Sequence, residues 1–155
     1  MKNPYFINEP AAISFSGGRT SAYMLYKILD AHDGKLPDDM QVTFANTGKE
    51  MPETLDFVQA CADNWGVDIV WLEYQGRKKL DMPKVVTHET AARNGEPFAE
   101  LIESKGFLPN GVMRFCTQEL KIIPIEKYMA GNKAVSTDFL TVVGIRADEP
   151  RRVAK

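Results

Sequence analysis

The hydrophobic period switches repeatedly between residues 12 and 72, and this alternation limits the possible folds more than any other feature. Ala12, Ile13 and Phe15 supply strand-like apolar positions, and Met24, Leu25, Ile28 and Leu29 then recur at helical spacing. Residues 40–45 alternate as a strand, Leu55, Val58, Ala62 and Trp65 share one helical face, and residues 67–72 read as a third strand. Strands separated by helices predict a parallel sheet with right-handed crossovers. Such sheets bind ligands beyond the carboxyl ends of their strands. The turns at residues 16–21 and 46–53 therefore fall on one edge of the sheet.

The first of these turns has chemistry of its own. Gly17 and Gly18 permit positive φ values and a close approach of the backbone to a ligand. The helix that follows begins with amide hydrogens that lack internal partners, at the positive end of its dipole. A phosphate or sulfate is held well there. Ser16, Thr20 and Ser21 add hydroxyls, and Arg19 adds a forked cation. Taken alone, the turn admits two readings: an anion cradle, or a plain corner in which Ser and Thr merely cap.

Further along, Pro52 suits the first position of a helix that Gly66 ends. Glu53 lies in its first turn, where an acid matches the dipole or meets a ligand. Residues 75–96 are polar and resist assignment; Arg77, Lys78 and Lys79 read as a solvated run, and His88 as a surface histidine. Residues 97–105 form a short helix closed by Gly106, and Pro124 restarts a helix that stops at Gly131. Residues 139–145, apolar and β-branched, read as a buried central strand. This strand delivers Arg146 and the residues after it to the ligand edge, where arginine suits forked recognition of phosphate. The alternative there is a charged tail that pairs internally with Asp148 and Glu149.

Composition narrows the classes. The 155 residues suggest one domain, residues 1–155, with a real core. A net charge of -2 predicts no bulk attraction to nucleic acid or to an anionic membrane. No apolar run approaches a membrane span and the N-terminus lacks a signal-peptide pattern, which points to a cytoplasmic protein. Two cysteines, Cys61 and Cys116, cannot build a four-cysteine iron–sulfur cluster, and with His32 and His88 they share no metal-site spacing. Cys116 reads as a small apolar residue ahead of a nucleophile.

Four blocks of sequence resemble one family. Ser16-Gly17-Gly18-Arg19-Thr20-Ser21 is similar to the pyrophosphate loop Ser-Gly-Gly-x-Asp-Ser of the adenine nucleotide α-hydrolase-like superfamily. Asn46-Thr47-Gly48-Lys49-Glu50-Met51-Pro52-Glu53-Thr54 resembles the Asp-Thr-Gly-x-x-x-Pro-Glu-Thr segment of the phosphoadenosine phosphosulfate (PAPS) reductase family. Arg114, Cys116, Leu120, Lys121 and Pro124 resemble its Arg-x-Cys-x-x-x-Leu-Lys-x-x-Pro segment, and Gly144, Arg146, Glu149 and Arg152 its Gly-x-Arg-x-x-Glu-Ser-x-Arg segment. Thr20 stands where ATP-splitting members carry an Asp that helps hold magnesium, and Asn46 stands where Asp is usual.

The resemblance implies a single Rossmann-like, three-layer α/β domain with a mostly parallel sheet of about five strands. It implies an adenine nucleotide (PAPS, adenosine phosphosulfate or ATP) as ligand. Ser16, Gly17, Gly18, Arg19, Thr20 and Ser21 would hold the anionic end, and Asn46, Thr47 and Gly48 would face adenosine. Arg114, Lys121, Arg146 and Arg152 would neutralise charge. Thr20 argues against magnesium, and the cysteine count against an iron–sulfur cluster. The Glu-Cys-Gly-x-His segment that supplies the family's nucleophilic cysteine does not occur in these residues, so a reductase would draw its thiol from an external protein. Three functions stay open: an enzyme acting on a sulfonucleotide, an ATP-dependent adenylyl transferase or ATP pyrophosphatase, and a non-catalytic nucleotide-binding module. A homo-oligomer is compatible with each.

Overall fold

A computed structural model describes residues 2–76, 82–110, 112–113, 115–132 and 138–149. The elements are β1 (Ala11–Ser14), α1 (Arg19–Ala31), β2 (Met40–Asn46), α2 (Pro52–Trp65), β3 (Ile69–Glu73), β4 (Lys84–Val86) and α3 (Glu96–Lys105). They are followed by α4 (Phe115–Thr117), a π-helical turn (Gln118–Ile122), α5 (Ile123–Gly131) and β5 (Leu140–Val143). The strands form one sheet in the order β4-β3-β2-β1-β5. All neighbours are parallel except β4, which runs antiparallel to β3. The alternation in the sequence thus produces the expected mostly parallel sheet.

Because successive side chains in a strand point to opposite faces, each strand supplies two cores. Ile13, Phe15, Val42, Phe44 and Trp71 pack against Met24, Leu25 and Ile28 of α1 and Leu55 and Val58 of α2. On the other face Ala12, Ala45 and Leu72 meet Ile125 and Met129 of α5. A third cluster, Tyr74, Leu101 and Leu120, joins α3 to the π-turn. No helix among the described residues is long and apolar enough to cross a membrane.

Cys61 belongs to the first core, and burial pushes its thiol pKa up. Native protein is therefore expected to resist alkylation at Cys61 at mildly alkaline pH, because thiolate is the reacting form. Peptide mapping after a short iodoacetamide pulse measures this; rapid labelling of Cys61 would mean that α2 is not docked in solution.

Three expectations are corrected. Residues 139–145 do not form a buried central strand. β5 pairs with β1 at one end of the described sheet, and Leu140, Val143 and Ile145 are all more than a third exposed. A run of β-branched residues reports the preference for extended backbone, not what covers it. Pro124 stands in the first turn of α5, which ends at Gly131 as expected, but no break precedes it: α4, the π-turn and α5 run on continuously. A proline lacks the amide hydrogen for the usual bond and crowds the carbonyl four residues back. Here the Ile123 N–H reaches the Gln118 carbonyl five residues back, so a widened turn sits immediately before the proline. The polar stretch 75–96 contains β4, whose Val85 pairs with Leu72 of β3.

His88 also has a fixed place. Its Nε2 lies 2.7 Å from Asp56 Oδ1 and its ring meets Trp71 edge-on, tying the segment after β4 to α2. The entry arm is pinned in a similar way: the Ile7 N–H donates to His32 Nε2 at 3.2 Å, and Phe6 stacks on the His32 ring.

Candidate anion-binding crevice

The strand order reverses at β1: β2 and β3 lie on one side of it, and β5 lies on the other. Connections on the two sides of such a reversal leave in opposite directions and open a crevice between them. A cavity of about 620 Å³ occupies this place, lined by Ser16, Gly18, Arg19, Thr20, Ser21, Gly144, Arg146 and Glu149. Segments far apart in sequence, the corner after β1 and the exit from β5, thus share one cavity. They pack closely, and a Cβ on Gly144 would lie 3.3 Å from the Ser21 Cα.

Among the described residues, no side chain caps the helix end in this cavity. Gly18 is the N-cap of α1, in extended conformation (φ -94°), with no side-chain cap and no acidic residue in the first turn. The first intrahelical bond there is Ala22 N–H to the Gly18 carbonyl at 3.0 Å. The amides of Arg19, Thr20 and Ser21 precede the first intrahelical bond and meet no side-chain cap among the described residues, and the dipole adds positive potential there.

Ser21 lines the cavity and also braces the loop. It is 3% exposed, and its hydroxyl donates to the Gly18 carbonyl at 3.0 Å while accepting the Ser16 N–H at 3.2 Å. The Ser16 hydroxyl lies 3.0 Å from the same oxygen. With the Ser21 proton directed at Gly18, the Ser16 hydroxyl is the donor in that contact. This three-point brace ties the loop to the start of α1, and Arg19 and Thr20, for which no such bond is seen among the described residues, also line the cavity. Gly17 faces away from the cavity: at φ +80° its missing Cβ would lie 2.7 Å from Thr54 Cγ2 and 3.2 Å from Val58 Cγ2.

The structure sets the second turn apart from this cavity. Asn46 is fully buried and does not line the cavity. Its amide donates to Glu73 Oε2 at 2.6 Å and to the Ala92 carbonyl at 2.9 Å, and its oxygen accepts the Gly48 N–H at 3.2 Å. Both amide hydrogens and one lone pair of the oxygen are engaged internally, so the side chain acts as a strut between β2, β3 and the segment before α3 and stands apart from the crevice. Thr47 is half-buried; its hydroxyl donates to Glu50 at 3.3 Å and accepts the Lys49 N–H. Gly48, with φ +81°, lies against Gly95, and a Cβ there would come within 2.8 Å of the Gly95 Cα. Glu73 and its neighbours line a separate cavity of about 610 Å³, in which Glu89, Glu96 and Glu100 outnumber Lys84 and Arg93. That balance disfavours a second anion.

Arg146 reaches the first cavity, as expected, but its guanidinium is engaged. Nε donates to Asp148 Oδ1 at 2.8 Å and Nη2 to Asp148 Oδ2 at 2.6 Å. The fork holds the Asp148 carboxyl below its usual pKa range and raises that of Arg146. The internal pairing and the cavity position thus coexist. Lys121 lies in the π-turn and does not line the crevice. Cys116 packs half-buried against the Tyr74, Leu101 and Leu120 cluster, which fits the small apolar role. Arg114 and Arg152 lie outside the described residues, as do Arg77, Lys78, Lys79 and Arg151.

A mostly parallel five-stranded sheet flanked by helices, with the start of α1 and Arg146 lining one cavity at its reversal point, is an α/β fold of the Rossmann-like kind. The match to the phosphoadenosine phosphosulfate reductase domain covers residues 10–155, and the chain belongs to that family, whose members bind adenine nucleotides. Among individual proteins, it is 33% identical over 147 residues to an uncharacterized nin region protein, ORF290, of Escherichia phage lambda, covering 91% of this chain and 49% of the phage protein. It is 31% identical over 150 residues to the uncharacterized protein MJ0066 of Methanocaldococcus jannaschii, covering 96% of this chain and 25% of that protein. The chain thus spans about half of one relative and a quarter of the other.

Proposed function

We propose that this chain binds the phosphate or phosphosulfate end of an adenine nucleotide in the crevice between β1 and β5, and that it acts on a sulfonucleotide or a related adenylyl substrate. The observation that carries this reading is the start of α1, without a side-chain cap among the described residues, opening into a cavity that also holds Arg19 and Arg146. An anion there would accept backbone hydrogen bonds along the helix dipole and meet forked cations at its rim. Chemistry at such a site is mainly positioning and stabilisation of charge. Thr20 contributes a hydroxyl where metal-assisted ATP cleavage uses a carboxylate, which supports a sulfonucleotide over ATP splitting. Cys116 packs on an apolar cluster, which supports a thiol for any reduction that comes from outside these 155 residues.

A thermal-shift and calorimetric screen against ATP, AMP, adenosine phosphosulfate and PAPS, each with and without magnesium, tests the proposal. Magnesium-independent binding of a sulfonucleotide supports it. Magnesium-dependent release of pyrophosphate from ATP would favour the adenylyl-transfer alternative, and binding without turnover of either would favour a non-catalytic module. Arg146→Ala is expected to weaken the preferred nucleotide roughly tenfold or more, the loss of a charge-assisted bond. Unchanged affinity would remove Arg146 from the site.

A further inference from the structure

The edge of Arg146 that would grip a phosphate, Nε with Nη2, is the edge held by Asp148. Glu149 Oε1 stands 3.7 Å from the same Nε, and the Glu149 N–H closes the turn onto the Arg146 carbonyl at 3.1 Å. Both side chains of the fork are mostly exposed, 59% for Arg146 and 66% for Asp148. Arg146 nevertheless lines the same cavity as the start of α1, while Asp148 does not.

We propose that Asp148 is a built-in counter-ion that occupies the Arg146 fork in the empty site and is displaced by the ligand's anion, so that it sets the affinity threshold of the crevice. This rests on the reading of the crevice as a nucleotide-anion site. The exchange follows from the relative strength of the two anions. An ion pair between exposed side chains is screened by water and weak. A phosphate chain carries more charge, can be gripped by the same two donors, and gains the helix amides at the same time. A singly charged anion gains less, so the device favours polyanionic tails over lone monoanions.

Calorimetric titration of wild-type chain, Asp148→Asn, Arg146→Ala and the double variant with inorganic pyrophosphate and with ATP tests this. Asp148→Asn is expected to tighten pyrophosphate binding about three- to fivefold, the worth of an exposed pair. The gain should vanish in the Arg146→Ala background. Equal tightening in both backgrounds would mean that Asp148 acts only as a nearby negative charge, and overturns the inference. Wild-type binding with Asp148→Asn unchanged or weaker also overturns it, and leaves the nucleotide reading standing. If neither the wild-type chain nor Asp148→Asn binds pyrophosphate or ATP, this inference falls; the nucleotide reading falls with it when PAPS and adenosine phosphosulfate also fail to bind.

Discussion

Gly17→Ala is expected to destabilise the chain by about 2–4 kcal/mol and to abolish ligand binding in the crevice. Two costs add. Gly17 sits at φ +80°, where a side chain is strained by about 1 kcal/mol or more. Its new Cβ would also lie 2.7 Å from Thr54 Cγ2, and overpacking of this kind costs about 1–3 kcal/mol. Thr54 cannot easily turn away, because a β-branched residue in a helix has few rotamers. Relief must come from a shift of the loop that carries Ser16 and Gly18, which would misplace the amides of α1. Two comparisons separate the costs. Gly34→Ala has a similar φ of +81° and open space around it, so it should cost only about 1 kcal/mol of strain. Thr54→Ser deletes the opposing methyl and should rescue part of Gly17→Ala. Chemical denaturation of the four proteins reads this directly. Equal losses at Gly17 and Gly34, with no rescue, would show that the corner is not packed on α2 as described.

Asn46→Asp should be the more damaging change at neutral pH, by about 3–5 kcal/mol, although it is nearly isosteric. The new carboxylate would stand where the amide nitrogen now lies 2.6 Å from Glu73 Oε2, and the donor to the Ala92 carbonyl would be lost. Two carboxylates in one buried place cannot both ionise, so the pair must bind a proton. A carboxyl whose folded pKa is raised binds protons that the unfolded chain has released. The deficit is therefore small at acid pH and grows as pH rises through the unfolded carboxylate range, near 4. Urea melts across pH 4–8 would show this widening gap. Glu73→Gln in the same background should recover part of the stability, since an amide again faces a carboxylate. A pH-independent loss without rescue would contradict the buried contact. This chain's departure from the Asp of the resembling motif has a local reason: with Glu73 opposite, the amide is the compatible residue.

These two sites show how far sequence reading reached. The corner at residues 16–21 was legible because a strand period, a glycine pair and a helix period follow one another without interruption. Its division of labour was not. Ser16, Thr20 and Ser21 look equivalent as hydroxyls and all line the crevice, and only their positions around the helix make Ser21 the buried brace to which Ser16 bonds. The pairing of Asn46 with Glu73 spans 27 positions and has no local signal, although a lone acid at the end of an apolar strand invited a search for its buried donor.

The sequence by itself determined the class of fold and the sheet edge on which its first turn lies, because hydrophobic period and glycine placement are local properties of the backbone. It also placed an arginine at the exit of the last described strand. Only the tertiary structure decided which residues meet: β5 beside β1 rather than deep in the sheet, Asn46 engaged with Glu73, and Arg146 at the crevice but forked onto Asp148. Such pairings depend on strand order and on competition among nearby charges, and neither is written in any short stretch of the chain.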